Sequence, residues 1–170
     1  GIKTPTKSIL ATGKQEDVVA EGDEKMASQV MRATLFSSYD ITGDFQAERI
    51  ATNAGEKTGR RLVYDKKPKS VEKLKTEIIT LFKDKNLGEI KFEKPAKRGA
   101  ATVEAIAKVY DSAFSAGMPP VNKRVDNFIR GLLRGAFSEF RGVETITVKE
   151  TQCWGLGDTY CEFEIYALSR

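Results

Sequence analysis

The chain has 170 residues, 40% of them apolar and 31% charged, with a formal net charge of +4. That length suits one domain with a sizeable core, and the charge is too small and too scattered for a nucleic-acid partner. Histidine is absent, which excludes Ser-His-Asp and Cys-His catalysis within these residues, and no run nears the roughly 18 apolar residues that span a bilayer.

Residues 1–25 are mostly polar and are expected to be an extended or loosely ordered arm, with 1–27 set apart from a folded domain over 28–170. They open on no apolar signal segment, so reduced cysteines and a cytoplasmic location are expected. Val30–Phe36 fits a helix or a strand.

Asp44–Tyr64 reads as a helix capped by Asp44, with Ala47, Ile50, Ala51, Ala54, Thr58 and Leu62 on its buried face. Gly55 and Gly59 each cost about 1 kcal/mol of helix propensity relative to alanine, so close approach of another helix or of a ligand should compensate. Lys66-Lys67-Pro68-Lys69 is read as a solvated loop. Ser70–Lys85 is a second helix with Ser70 as N-cap and a stripe of Val71, Leu74, Ile78, Leu81 and Phe82. Asn86–Gly88 tolerate the left-handed geometry that ends it.

Ile90 and Phe92 alternate with charged residues as a short strand. After a basic turn at Pro95–Gly99, Ala101–Tyr110 alternates again, with Val103, Ala105, Ala107 and Val109 facing inward. Their small size calls for a close helix or a cavity. Ser112–Pro120 is a loop. Val121–Phe140 reads as a central helix, apolar on more than one side. Its Gly131 and Gly135 repeat the spacing of Gly55 and Gly59, so the two helices are expected to pack backbone to backbone. Val143–Gln152 and Thr159–Ala167 close the chain as a hairpin. The order is that of an α+β domain, a mostly antiparallel sheet with helices packed on one side.

The hairpin holds both cysteines and the single tryptophan. Glu150 and Cys153 lie three apart at a strand end, and Cys161 enters from the returning strand. Two thiolates and a carboxylate suit zinc. A fourth ligand would come from elsewhere in the chain, from water or from a bound molecule. The plainer alternative is that both cysteines are small apolar core residues, although a glutamate in that position is hard to explain as packing.

The run Glu150-x-x-Cys153-x-x-x-Gly157-Asp158-x-x-Cys161-x-Phe163-x-Ile165 resembles the signature of the 4-vinyl reductase domain family. Phe128-Ile-Arg-Gly131-Leu-Leu-Arg-Gly135 resembles its glycine-rich helix, and Gly55 and Gly59 match an earlier one. The resemblance covers roughly residues 28–168. It implies an α+β fold related to vesicle-tethering (transport protein particle) subunits and a domain that binds small hydrophobic or aromatic ligands, as the stand-alone hydrocarbon-binding members do, with a homodimer as its assembly. It implies zinc held by Glu150, Cys153 and Cys161, but the family's further cysteine would fall near Asn127, leaving Asp126 or Asp158 to substitute. It also implies an apolar pocket between the glycine-rich helices and the sheet, with Tyr110, Phe114, Phe128, Leu132 and Trp154 as lining, or else as ordinary core.

Three functions follow: a ligand-binding or sensory module, an accessory protein or enzyme of tetrapyrrole vinyl reduction, and a structural scaffold. Hydride transfer needs a nicotinamide or flavin, and no strand–GxGxxG–helix unit is present. The first is preferred, with no catalytic residue assigned.

Overall fold

The computed structural model describes residues 15–95, 102–143 and 146–167, with side chains from 29 onward. Four helices, α1 (Gln15–Thr42), α2 (Asp44–Lys66), α3 (Val71–Asp84) and α4 (Asn127–Arg141), accompany four strands, β1 (Glu89–Glu93), β2 (Thr102–Tyr110), β3 (Ile146–Gln152) and β4 (Cys161–Ala167). The strands form one antiparallel sheet in the order β1-β2-β4-β3. This is the expected α+β class. Residues 15–25, expected to be extended, are helical. The helix α1 runs through Val30–Phe36 and across the boundary placed between residues 27 and 28. Residues 1–14 and the basic turn beyond Pro95 lie outside the described residues.

The helix α2 starts after Gly43, whose φ of 77° needs no Cβ. Asp44 is its first residue rather than its cap, and its carboxylate pairs with Lys123 at 2.6 Å. The buried face is Ala47, Ala51, Gly55, Gly59 and Val63, turned away from the face expected from the sequence. Ile50 is 48% exposed because the glycines, not the larger apolar residues, meet the neighbouring helix.

That neighbour is α4. A Cβ on Gly55 or Gly59 would lie 2.0 or 2.1 Å from the carbonyl oxygens of Phe128 and Leu132, and one on Gly131 or Gly135 would lie 2.1 Å from those of Thr52 and Glu56. Residue numbers on the two helices rise together, so the helices run parallel at backbone contact. The propensity lost at four glycines is offset by dispersion contacts that a longer side chain would forbid. Polar pairs flank the seam: Arg60 bridges Glu56 and Glu139, and Arg130 donates to Thr52.

The helix α4 begins at Asn127, six residues later than Val121, the expected start. The intervening backbone is spent elsewhere. The Val121 N–H donates to the Gly155 carbonyl and the Val125 N–H to Cys153 Sγ. The helix α3 matches its expected bounds closely, with Ser70 accepting from the Lys73 N–H. Asn86 and Gly88 take positive φ after it.

On the sheet, Ala105 and Ala107 pair with Ile165 and Phe163, so small residues on one strand sit beside large ones on the next. All four are fully buried with Ile129, Leu132, Leu133 and Phe137 of α4. Helices cover this face, whereas Thr147 and Lys149 of β3 are exposed on the other.

Gly135→Ala should destabilise the protein by about 2–3 kcal/mol in urea unfolding, the cost of forcing a methyl into a closed contact. Asn53→Ala, on the exposed side of α2, should change stability by less than about 0.5 kcal/mol.

Candidate metal centre

The strand β3 alternates inward Ile146, Val148 and Glu150 with outward Thr147 and Lys149. Glu150 is therefore delivered to the core face by the same period that buries its neighbours, and it is 1% exposed. A register shift between Glu150 and Gln152 opposite β4 ends the regular ladder. Cys153 follows and leads into a 3-10 turn over Trp154–Leu156, closed by Gly157 at a φ of 98°. Asp158 ties this turn by accepting from the Cys153 N–H at 2.8 Å. Cys161 opens β4 beside Val109 of β2.

Asp126 joins these three residues from the start of α4. One ligand atom each from Asp126, Glu150, Cys153 and Cys161 lies within 4.8 Å of all the others, and all four residues are buried. Asp126 thus stands next to Asn127, where the family's further cysteine was expected to fall. Asn127 itself points away and donates to the Tyr39 hydroxyl at 3.1 Å. Asp158, the other substitute considered, is occupied by the turn.

Asp126 occupies the N-cap position of α4 yet makes no side-chain cap bond. Its carboxylate instead accepts from Ser112 Oγ at 2.6 Å, from Ser115 Oγ, and from Cys161 Sγ at 2.9 Å. A helix end normally spends such a carboxylate on its own free N–H groups; here it is committed to the cluster. The two serines were not singled out in the sequence. A Ser-x-x-Ser pair in a loop eleven and fourteen residues before the aspartate carries no spacing rule that marks it.

Burial pushes the Glu150 carboxyl up to about 10, and the negative charge of Asp126 adds to the effect. Hydrogen bonding from Cys161 holds the Cys153 thiol down to about 6, against its burial. The same bond, followed by burial, raises Cys161. One proton is in effect shared between the two sulfurs, with Cys153 the more acidic. Neither Glu150 oxygen meets the distance and angle of a hydrogen bond, though both are buried. A buried carboxyl without partners costs about 1–3 kcal/mol or more. A cation bound by the cluster would relieve that cost.

Two thiols and two carboxyls at this separation fit a four-coordinate divalent ion such as zinc. The Arg124 Nε–H donates to the Glu150 carbonyl at 2.7 Å, and the charge of Arg130 acts favourably on ionised Glu150. Both cations favour the anionic state that such a site requires.

The five expected lining residues do not gather around one hollow. Phe114 and Phe128 lie ring against ring at 5.0 Å, Leu132 is fully buried, and Tyr110 lies against Tyr160 at 5.5 Å. Trp154 packs on the core edge from the hairpin turn. Two concavities lie elsewhere. One of about 460 Å³ lies between the end of α3 and the start of β1, and one of about 260 Å³ lies between α1 and the loop before α4.

The fold and the hairpin define the class: the chain carries a 4-vinyl reductase domain, and the model of that domain family matches residues 105–167. This is the resemblance seen in the hairpin. An uncharacterized protein of Methanocaldococcus jannaschii is 31% identical over 91 residues, covering 52% of this chain and 50% of that protein. The chain therefore spans half the length of this curated relative. A crystal structure of a vinyl-4-reductase family protein from Methanocaldococcus jannaschii superposes with a TM-score of 0.51 at 22% identity, over 70% of this chain and 68% of that one. The phenol-responsive sensory domain of the transcription activator PoxR, with phenol, gives 0.64 at 17% identity over 82% and 74%. A trafficking protein particle complex subunit 3 from Naegleria fowleri, covalently bound to palmitic acid, gives 0.60 at 17% identity over 85% and 97%. At these identities the superpositions show the shared fold.

In the metal-free protein, stability should fall as pH rises from about 4.5 to about 6. There Glu150 ionises in the unfolded chain but stays protonated when folded. Above about 6 the depressed Cys153 acts with the opposite sign and offsets it. Thermal melts of metal-free Glu150→Gln across this range should show the fall removed.

Proposed function

We propose that the chain is a small-molecule-binding module that takes a hydrophobic or aromatic ligand, with a structural zinc held by Asp126, Glu150, Cys153 and Cys161. The observation that carries the metal part is the buried Glu150 carboxyl, unpartnered within a closed set of two thiols and two acids. Zinc there supplies charge neutralisation and a cross-link among the loop before α4, β3 and β4. Catalysis has no support from the arrangement, because all four potential ligand residues are buried and closed zinc sites of this kind are structural.

The family match over residues 105–167 and the fold shared with a phenol-responsive domain support the ligand part. The palmitate on the trafficking subunit is covalent. Here both cysteines are buried within the acid–thiol cluster, which favours reversible binding over acylation. We hold the domain over 28–170 to be the binding unit, cytoplasmic and homodimeric. Among the described residues no helix is long and apolar enough to cross a membrane.

Native mass spectrometry of the purified chain should show one zinc per chain and an added mass on incubation with simple aromatics. Cys153→Ser, Cys161→Ser and Asp126→Ala should each lower zinc content at least tenfold and reduce the melting temperature. Unchanged zinc content and melting temperature in the cysteine variants would remove the metal site. A protein that takes up neither aromatics nor fatty acids would remove the ligand part.

A further inference from the structure

The concavity of about 260 Å³ between α1 and the loop before α4 shares its wall with the acid–thiol cluster. Phe36 and Tyr39 of α1 line one side, and Met118, Val121 and Val125 of the loop line the other, with Lys123 also present. Phe36 and Tyr39 stack at 6.1 Å. The loop side is held from behind by the hairpin. The Val121 N–H donates to the Gly155 carbonyl at 2.9 Å, the Arg124 Nε–H to that of Glu150 at 2.7 Å, and the Val125 N–H to Cys153 Sγ at 3.4 Å. A Cβ at Gly155 would stand 2.2 Å from the Lys123 carbonyl oxygen, so the hairpin turn and the loop touch backbone to backbone. The α1 side is tied across by Arg32 donating to the Ala116 carbonyl and by Asn127, adjacent to Asp126, donating to Tyr39.

We propose that this cavity binds a neutral, single-ring aromatic molecule bearing one oxygen acceptor, and that its affinity is linked to metal occupancy of the neighbouring cluster. This rests on the reading of the chain as a small-molecule-binding module, and it moves the ligand from the interior to the α1 side.

The size sets the ligand class. Drug-sized ligands occupy pockets of about 300–1,000 Å³, and this one falls just below that range. The walls are aromatic, thioether and branched aliphatic, which suits a ring face and edge. A cationic group is already in place, since the Lys123 ammonium lies 5.7 Å from the Tyr39 ring centre and pairs with Asp44 at 2.6 Å. An anionic ligand would compete with Asp44 for it, and a cationic one would be repelled by it. The Tyr39 oxygen accepts from Asn127, but its own hydrogen meets no acceptor among the described residues. Burial raises Tyr39 above the usual phenol value, so that hydrogen is retained. A ligand oxygen is its natural acceptor.

The linkage follows from the shared wall. A metal that draws Asp126, Glu150, Cys153 and Cys161 together orders the backbone from Val121 to Val125. A ligand on the far side of that backbone is favoured by the same ordering, and the coupling is reciprocal.

The test is a methyl NMR titration of the zinc-loaded full chain with 4-methylphenol, benzylammonium and benzoate. Saturable shifts are expected at Met118, Val121 and Val125, with 4-methylphenol at least tenfold tighter than either ion. Val121→Trp, which fills the cavity, and Phe36→Ala, on the opposite wall, should each weaken binding at least tenfold. Removing zinc with a chelator should weaken it at least threefold. Shifts centred on Leu132 with unchanged affinity in both variants would overturn this site and leave the binding-module reading standing. Tighter binding of either ion would overturn the ligand class, and equal affinity without zinc would overturn the linkage. No saturable binding of any of the three probes would overturn the site itself, leaving uptake of other aromatics and of fatty acids to decide the binding-module reading separately.

Discussion

The carboxylate of Asp126, fully buried at the start of α4, holds together parts of the chain that have no other reason to meet. It accepts from two serines of the preceding loop and from the thiol that opens the last strand. To do so it forgoes capping its own helix. Burying a charge or a polar acid is tolerable only with such partners, and the partners supplied here come from two separate segments. The position of the loop, the start of α4 and the closure of the hairpin are all consequences of satisfying this one group. The unpartnered carboxyl of Glu150 beside it is the remaining imbalance, and it is the imbalance that a divalent cation would correct.

The other constraint acts on the same helix from the opposite side. Parallel contact between α2 and α4 is so close that four carbonyl oxygens occupy the space of four absent side chains. This contact fixes α4 rigidly against α2, and α4 carries Asp126 at its N-terminal edge and much of the core along its length. The metal cluster is therefore held by a rigid helix on one side and by a strand pair on the other. Precise placement of ligands requires support of this kind. The loop between Ser112 and Asp126 is the softer part, and it is the part that faces the small cavity beside α1.

Much of this was legible before any coordinates. The glycine pairs declared a close contact because each is a poor helix residue with no local benefit. Glu150, Cys153 and Cys161 declared a polar cluster because a glutamate sits at an inward strand position next to thiols. Ser70 and the Asn86–Gly88 stop framed α3 correctly, since caps are local chemistry. The sequence misled where a local rule met a distant partner. Ile50 looked buried by helical period, yet the glycine face took the contact. Asp44 looked like a cap, yet Lys123 claimed it. Val121–Asp126 looked helical by its apolar spacing, yet its backbone groups were drawn to the hairpin turn.

Sequence alone determined most of the element types, the glycine-mediated pairing of two helices and three of the four members of the cluster, because spacing along one strand or helix dictates which side chains share a face. Only the tertiary structure decided that Asp126, rather than Asp158, completes the set. It also separated Phe114 and Phe128, packed together, from the cavity lined by Phe36 and Tyr39. Those outcomes depend on which segments converge in space, and convergence is set by the competition of many distant contacts for the same buried groups.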